Sequence, residues 1–322
     1  MTSFDESLSQ VASMITKIRW STCLILLLSS WIGCQDPHRD NVEQSTNLPL
    51  SIFTVNEPLR YMASRLTDKS WAEVEFPIPA SIPDPSVWEP VPSIIERYQK
   101  ADLILLNGAY YAQWVDRAAL PLSRVVNTGK GYQDRWIKRE QAMQHNHGEQ
   151  GEHTHGEFAS LTWMDLELAS KQTDAVASAL IARRPEHGDG IQRRAEQLKG
   201  EWMSLHRQFQ EVGLKLANTS LLASHPVYDY LERAYDLNLM SMHWEPDQFP
   251  SEEEWRVLDQ LLLTRPSGWM LWEAPPLEST IKALEARQIK VVVILPQGGD
   301  ASGVDFMQIV KDNLDALASI KP

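Results

Sequence analysis

The stretch from Gly190 to Leu216, GIQRRAEQLKGEWMSLHRQFQEVGLKL, decides the architecture. Ile191, Ala195, Leu198, Trp202, Leu205, Phe209, Val212 and Leu216 recur at steps of three and four, which marks one apolar helical face. At 1.5 Å per residue this predicts a rod about 39 Å long, enough to run the height of a domain. Immediately before it, Met164–Arg184 predicts a second helix. Further back, the apolar strand Leu50–Val55 is followed by a helix over 58–66 with Leu59, Met62, Ala63 and Leu66 on one face. A strand over 74–79, a proline-rich loop over 82–92, a helix over 92–100 opened by Pro92 and a strand over 103–106 complete this half. Beyond the rod, strands at 220–223, 237–242, 269–272 and 290–295 alternate with helices at 227–235, 252–264, 277–287 and 304–319. Strand and helix in alternation is the pattern of a parallel sheet covered by helices. The fold class expected is therefore α/β: two Rossmann-like lobes with parallel sheets, joined by one long rigid helix. The expected divisions are 48–185, 186–217 and 218–322.

Composition narrows what such a molecule can do. A formal net charge of −13 over 322 residues, with no run of Lys or Arg, argues against a phosphate-binding face and hence against nucleic acid. An acidic surface suits cation attraction and simple solubility alike. The twelve tryptophans are expected in core packing rather than in a cation box, since Trp202 falls on the apolar stripe of the rod. Neither His-Glu-x-x-His, nor Gly-x-Ser-x-Gly, nor a phosphate-cradling glycine motif occurs, so an enzyme is not expected.

The N-terminus carries its own signal. Lys17 and Arg19 precede the apolar run Cys23–Leu28, which leads through small residues to Gly33-Cys34. A basic flank and a short apolar core form a secretory signal, and the run is too short to span a bilayer, which needs about 20 residues. Its end resembles the lipobox of bacterial lipoproteins, with Trp31 departing from the usual leucine. Residues 1–34 are thus expected to be a signal peptide with Cys34 as lipidation site, and 35–47 a polar tether. A cleaved signal without lipid and an uncleaved anchor remain open alternatives, and Met14 is a second candidate start.

Cation-binding side chains gather at predicted strand ends. His225 follows the strand 220–223 and Glu273 the strand 269–272, the edge where open α/β sheets collect ligands. His243 and Glu245 flank Trp244 after another strand, and Asp300 closes Gly298-Gly299-Asp300 after the last. A separate group, His145, His147, His153 and His155, lies among Gly, Gln and Glu in segment 141–157, which has almost no apolar residue. That segment is expected to be a mobile surface loop, able to collect zinc weakly because ordering it costs entropy.

These pieces taken in order resemble the metal-specific solute-binding proteins of bacterial ABC transporters. The resemblance rests on Phe53-Thr54-Val55-Asn56-Glu57-Pro58-Leu59, Asp84-Pro85, Glu89-Pro90, Pro92-Ser93 and Ala101-Asp102-Leu103-Ile104 leading to Asn107-Gly108 and Trp114. It continues in Trp163-Met164-Asp165, Ser224-His225-Pro226-Val227-Tyr228-Asp229-Tyr230 and Glu273-Ala274-Pro275. It implies a zinc or manganese ion carried between two lobes on imidazole ligands, an ABC permease as partner, a monomer and an extracytoplasmic, membrane-anchored location. It also exposes a departure: Ser86 and Leu161 stand where the family's first two histidines fall, and only His225 is retained. His225, Glu273, His243 and Asp300 are the expected cleft ligands, with the four loop histidines as an auxiliary set. The competing expectation is a degenerate binding protein without a high-affinity cleft metal, serving another solute or a protein partner.

Overall fold

The computed structural model describes residues 48–79, 82, 84–139, 144–146, 152–154, 157–299 and 303–321. Two four-stranded sheets form the frame, and every strand pair in both is parallel. The first has the order β2-β1-β3-β4, built from β1 (Leu50–Thr54), β2 (Ala72–Glu75), β3 (Leu103–Leu106) and β4 (Val125–Asn127). Register is fixed by Ile52 beside Leu103 and Leu50 beside Ala72. An unbroken apolar run such as Leu103-Ile104-Leu105-Leu106 is what a strand buried on both faces requires. The second strand starts and ends earlier than its sequence suggests. Pro77 and Pro79 have no N–H to give a ladder, so pairing stops at Glu75.

Helices α1 (Glu57–Leu66) and α2 (Pro92–Lys100) serve the first sheet. Asn56 caps α1 by accepting the Leu59 N–H at 3.0 Å. Next in chain order, α3 (Leu166–Arg183) is capped by Asp165, which accepts from the Glu167 and Leu168 N–H groups. Asp165 is buried and ion-paired to Arg135 at 3.0 Å, and Arg135 also pairs with Glu167 at 2.8 Å. The rod is α4 (Gly188–Leu216), 29 residues and about 44 Å long. All eight residues of its anticipated apolar stripe are buried, and Trp202 donates its indole N–H to the Thr173 hydroxyl at 3.2 Å.

The second sheet, of order β10-β9-β7-β8, uses β7 (Ser220–Ala223), β8 (Asn238–Ser241), β9 (Trp269–Trp272) and β10 (Lys290–Val293). Its helices are α5 (Asp229–Tyr235), α6 (Glu252–Thr264), α7 (Glu278–Glu285) and α8 (Phe306–Ala318). Ser251 and Glu254 form a reciprocal capping box at the start of α6. The last helix does not stay with its own sheet alone. Phe306 of α8 lies 5.6 Å from the Tyr61 ring of α1 and 6.2 Å from Trp202 of α4. One contiguous core consequently runs from Leu50 to Ile320 through both sheets, with a smaller cluster around Trp244, Trp255 and Trp272 in the second.

The histidine-rich segment departs from the expectation of a loop without regular structure. Within it β5 (Gln144–Asn146) pairs antiparallel with β6 (Glu152–Thr154), placing His145 opposite His153. The flanks are zipped together as well: Arg139 N–H donates to Glu157 O at 2.8 Å and Ala159 N–H to Ile137 O at 2.9 Å. This stem is seated on α5 of the second sheet. The Tyr230 hydroxyl accepts the Ile137 N–H at 3.2 Å and donates to Ala159 O at 3.1 Å. Arg139 donates to Pro226 O at 2.7 Å and to Asp229 at 2.8 Å. Cys34, the tether, His147, His155 and Asp300 lie outside the described residues.

Candidate metal centre

Three neighbouring strands of the second sheet end at one spot. Ser224 N–H donates to Leu271 O at 2.8 Å, carrying the pairing of β7 and β9 one residue further and setting His225 near Glu273. Met242 N–H donates to Ala223 O and Trp244 N–H to Ser224 O, both at 2.8 Å, so the chain after β8 stays alongside the end of β7. Trp244 is buried against Trp255 and Trp272, with ring centroids 4.7 and 6.3 Å away. Side chains alternate along an extended segment, so burying Trp244 turns His243 and Glu245 to the other side.

The outcome is a compact nitrogen–carboxylate cluster. One ligand-capable atom from each of His225, Glu245 and Glu273 lies within 4.8 Å of the others. His225 is 5% exposed, and its Nδ1 is 3.6 Å from Glu245 Oε1. Tetrahedral zinc with bonds near 2.1 Å sets its ligand atoms about 3.4 Å apart, so the cluster needs only a small contraction around an ion. Glu273 carries the electrostatic signature of crowded anions. Burial, then the charges of Glu245 and Asp84, push its carboxyl up to about 8. A divalent cation reverses both causes, because it brings positive charge to the crowded carboxylates. The donor set therefore fits a divalent metal as cargo.

The expected ligands are distributed as follows. The structure brings together His225 and Glu273. The His243 ring stands 5.9 Å from that of His225, nearly perpendicular at 87°, and Glu245 takes the third place in the cluster. Sequence reasoning named His243 as a ligand and Glu245 only as its neighbour across Trp244; the structure groups Glu245 with His225 and Glu273. Ser86 and Leu161 are half-buried and offer no competitive donor. Asp84 approaches from the first lobe, and one of its oxygens accepts the Ser86 N–H at 2.8 Å.

The two lobes meet closely beside this cluster. Glu57 N–H donates to Gly298 O at 3.0 Å, and the Trp163 indole N–H to Pro296 O at 2.8 Å. A Cβ on Gly298 would lie 2.5 Å from the Tyr111 hydroxyl, and one on Gly299 would touch Pro85. The Tyr111 hydroxyl is buried with no hydrogen-bond partner among the described residues; burial and then the nearby Asp84 charge hold it well above its ordinary range. Behind this contact lies a small apolar recess, lined by residues including Phe209, Leu231, Phe306 and Ile309.

Two parallel-sheet lobes bridged by a long helix, meeting beside a cluster of cation donors, define a two-lobed solute-binding protein. Residues 52–320 match the family described as zinc-uptake complex component A, periplasmic, and the chain belongs to that family. It is 24% identical over 309 residues to the high-affinity zinc uptake system protein ZnuA of Bacillus subtilis, covering 92% of this chain and 94% of that one. Among solved structures it is similar to the metal-dependent lipoprotein YcdH of Bacillus subtilis. The TM-score is 0.71 at 21% identity, over 84% of this chain and 98% of that one. It is also similar to the Zn(II)-bound ZnuA-like domain of Streptococcus pneumoniae AdcA, with TM-score 0.70 at 19% identity over 84% and 98% of the two chains.

Proposed function

We propose that the protein is the extracytoplasmic metal-binding component of a zinc ABC transporter, taking a divalent cation at the lobe boundary and passing it to the permease. The observation that carries this is His225, buried at a strand end beside two carboxylates, in a chain whose family match runs from 52 to 320. Zinc is the cargo favoured by the family and by the ZnuA and AdcA relatives. The chain acts as a carrier and not as an enzyme. His225 and Glu273 hold the ion, and the four loop histidines form a weaker collecting set. The working division is a lobe over 48–185, a connecting helix over 186–217 and a lobe over 218–322. Cys34 is the lipid attachment site and 35–47 the tether of a monomer, which keeps the carrier close to its permease and raises its effective concentration there.

Calorimetric zinc titration of the mature chain tests this. One-to-one binding below about 1 μM, with a corresponding free energy near −8 kcal/mol, is expected. His225→Ala abolishes that event, and alanine at all four loop histidines leaves it. Absence of zinc binding by the unaltered protein overturns the proposal.

A further inference from the structure

We propose that Glu245 is a direct ligand of the cargo, completing with His225 and Glu273 a one-imidazole, two-carboxylate site supplied entirely by the second lobe. This deepens the proposed function and rests on it. The backbone places all three donors independently of any ion. His225 and Glu245 are brought side by side by the Trp244-to-Ser224 hydrogen bond, and His225 and Glu273 by the Ser224-to-Leu271 hydrogen bond. The buried Trp244 prevents the 242–245 segment from turning over, so Glu245 is held toward His225 by a packed indole rather than by a flexible loop. The Nδ1 to Oε1 separation of 3.6 Å already matches the spacing of two ligands on one small cation.

The first lobe, by contrast, presents Ser86 and Leu161 as half-buried side chains without competitive donor atoms. The first-lobe charge that raises the Glu273 carboxyl is that of Asp84, whose side chain is exposed and turned back onto the Ser86 N–H. Among the described residues the first lobe therefore contributes a wall and a charge, and the second lobe the coordination. Two oxygen donors against one nitrogen shift preference toward oxygen-seeking ions, since carboxylates suit manganese while imidazole suits zinc. The site consequently discriminates less between zinc and manganese than a three-imidazole cage would.

The test uses the mature chain with its four loop histidines replaced by alanine, so that zinc reports on the cleft alone. Glu245→Gln is expected to weaken zinc binding by at least about thirtyfold, Glu245→His to restore most of it, and Asp84→Asn to change it by less than about threefold. Circular dichroism and the thermal midpoint without metal show whether each variant is folded. Zinc-edge X-ray absorption of the loaded protein should give one imidazole and a majority of oxygen neighbours. Unchanged affinity in Glu245→Gln, with loss in His225→Ala, overturns the role of Glu245 and leaves the cleft reading intact. So does an absorption spectrum with two or more imidazoles. Failure of the unaltered site to bind zinc sinks the proposed function itself, a distinguishable outcome.

Discussion

Glu273 shows how a single side chain ties the site to the stability of the whole fold. Its carboxyl titrates at about 8 when folded, against an ordinary value of 4.5. The folded protein therefore binds this proton more tightly than the unfolded chain does. The resulting stabilisation is complete below about pH 4.5, declines as pH rises and is gone above about pH 8. Urea unfolding of the metal-free protein should show the midpoint falling across that window, and Glu273→Gln should flatten the fall. At the lobe contact, Gly298→Ala drives a Cβ to within 2.5 Å of the Tyr111 hydroxyl. Because that hydroxyl is buried beside Trp163, it has no room to withdraw. The expected cost is about 1–3 kcal/mol in denaturant unfolding, partly recovered by adding Tyr111→Phe, which removes the clashing oxygen.

Among the elements, α4 and α5 meet with almost no clearance. A Cβ on Gly213 of α4 would lie 2.1 Å from the Tyr235 carbonyl oxygen at the end of α5. Alanine in a helix interior is otherwise favoured over glycine by about 1 kcal/mol, so sequence propensity alone predicts stabilisation by Gly213→Ala. The backbone clash outweighs it, and a net loss of about 1–3 kcal/mol is expected in the unfolding midpoint. The same contrast governs what the sequence discloses. The stripe from Ile191 to Leu216 and the run Leu103–Leu106 are legible because burial imposes a period or an unbroken apolar stretch. The strand β4 is not, since three residues, Val125-Val126-Asn127, carry no period. His225 and Glu273 are legible as polar groups ending apolar strands. Bringing the 243–245 segment beside His225 needs a hydrogen bond between Trp244 and Ser224, twenty residues apart, and no local pattern announces that bond. The seat of the histidine segment on Tyr230 is hidden for the same reason, its partners being Ile137 and Ala159.

For the molecule as a whole, cargo and fold are linked by mass action. Zinc at a hundred times its dissociation constant should stabilise the native state by about 2.7 kcal/mol. Scanning calorimetry should register this as a raised midpoint, absent in His225→Ala. The contiguous core shared by both sheets couples them, and a single transition is expected. Among the described residues no helix is long and apolar enough to cross a membrane. The seating of the stem on Tyr230 and Arg139 has one more consequence. Excising residues 140–156 would leave Arg139 and Glu157 facing each other across an existing antiparallel rung, where an Asn-Gly turn can rejoin them. A protein shortened in this way should melt where the parent does and keep its buried imidazole in place, having lost only its outer histidines.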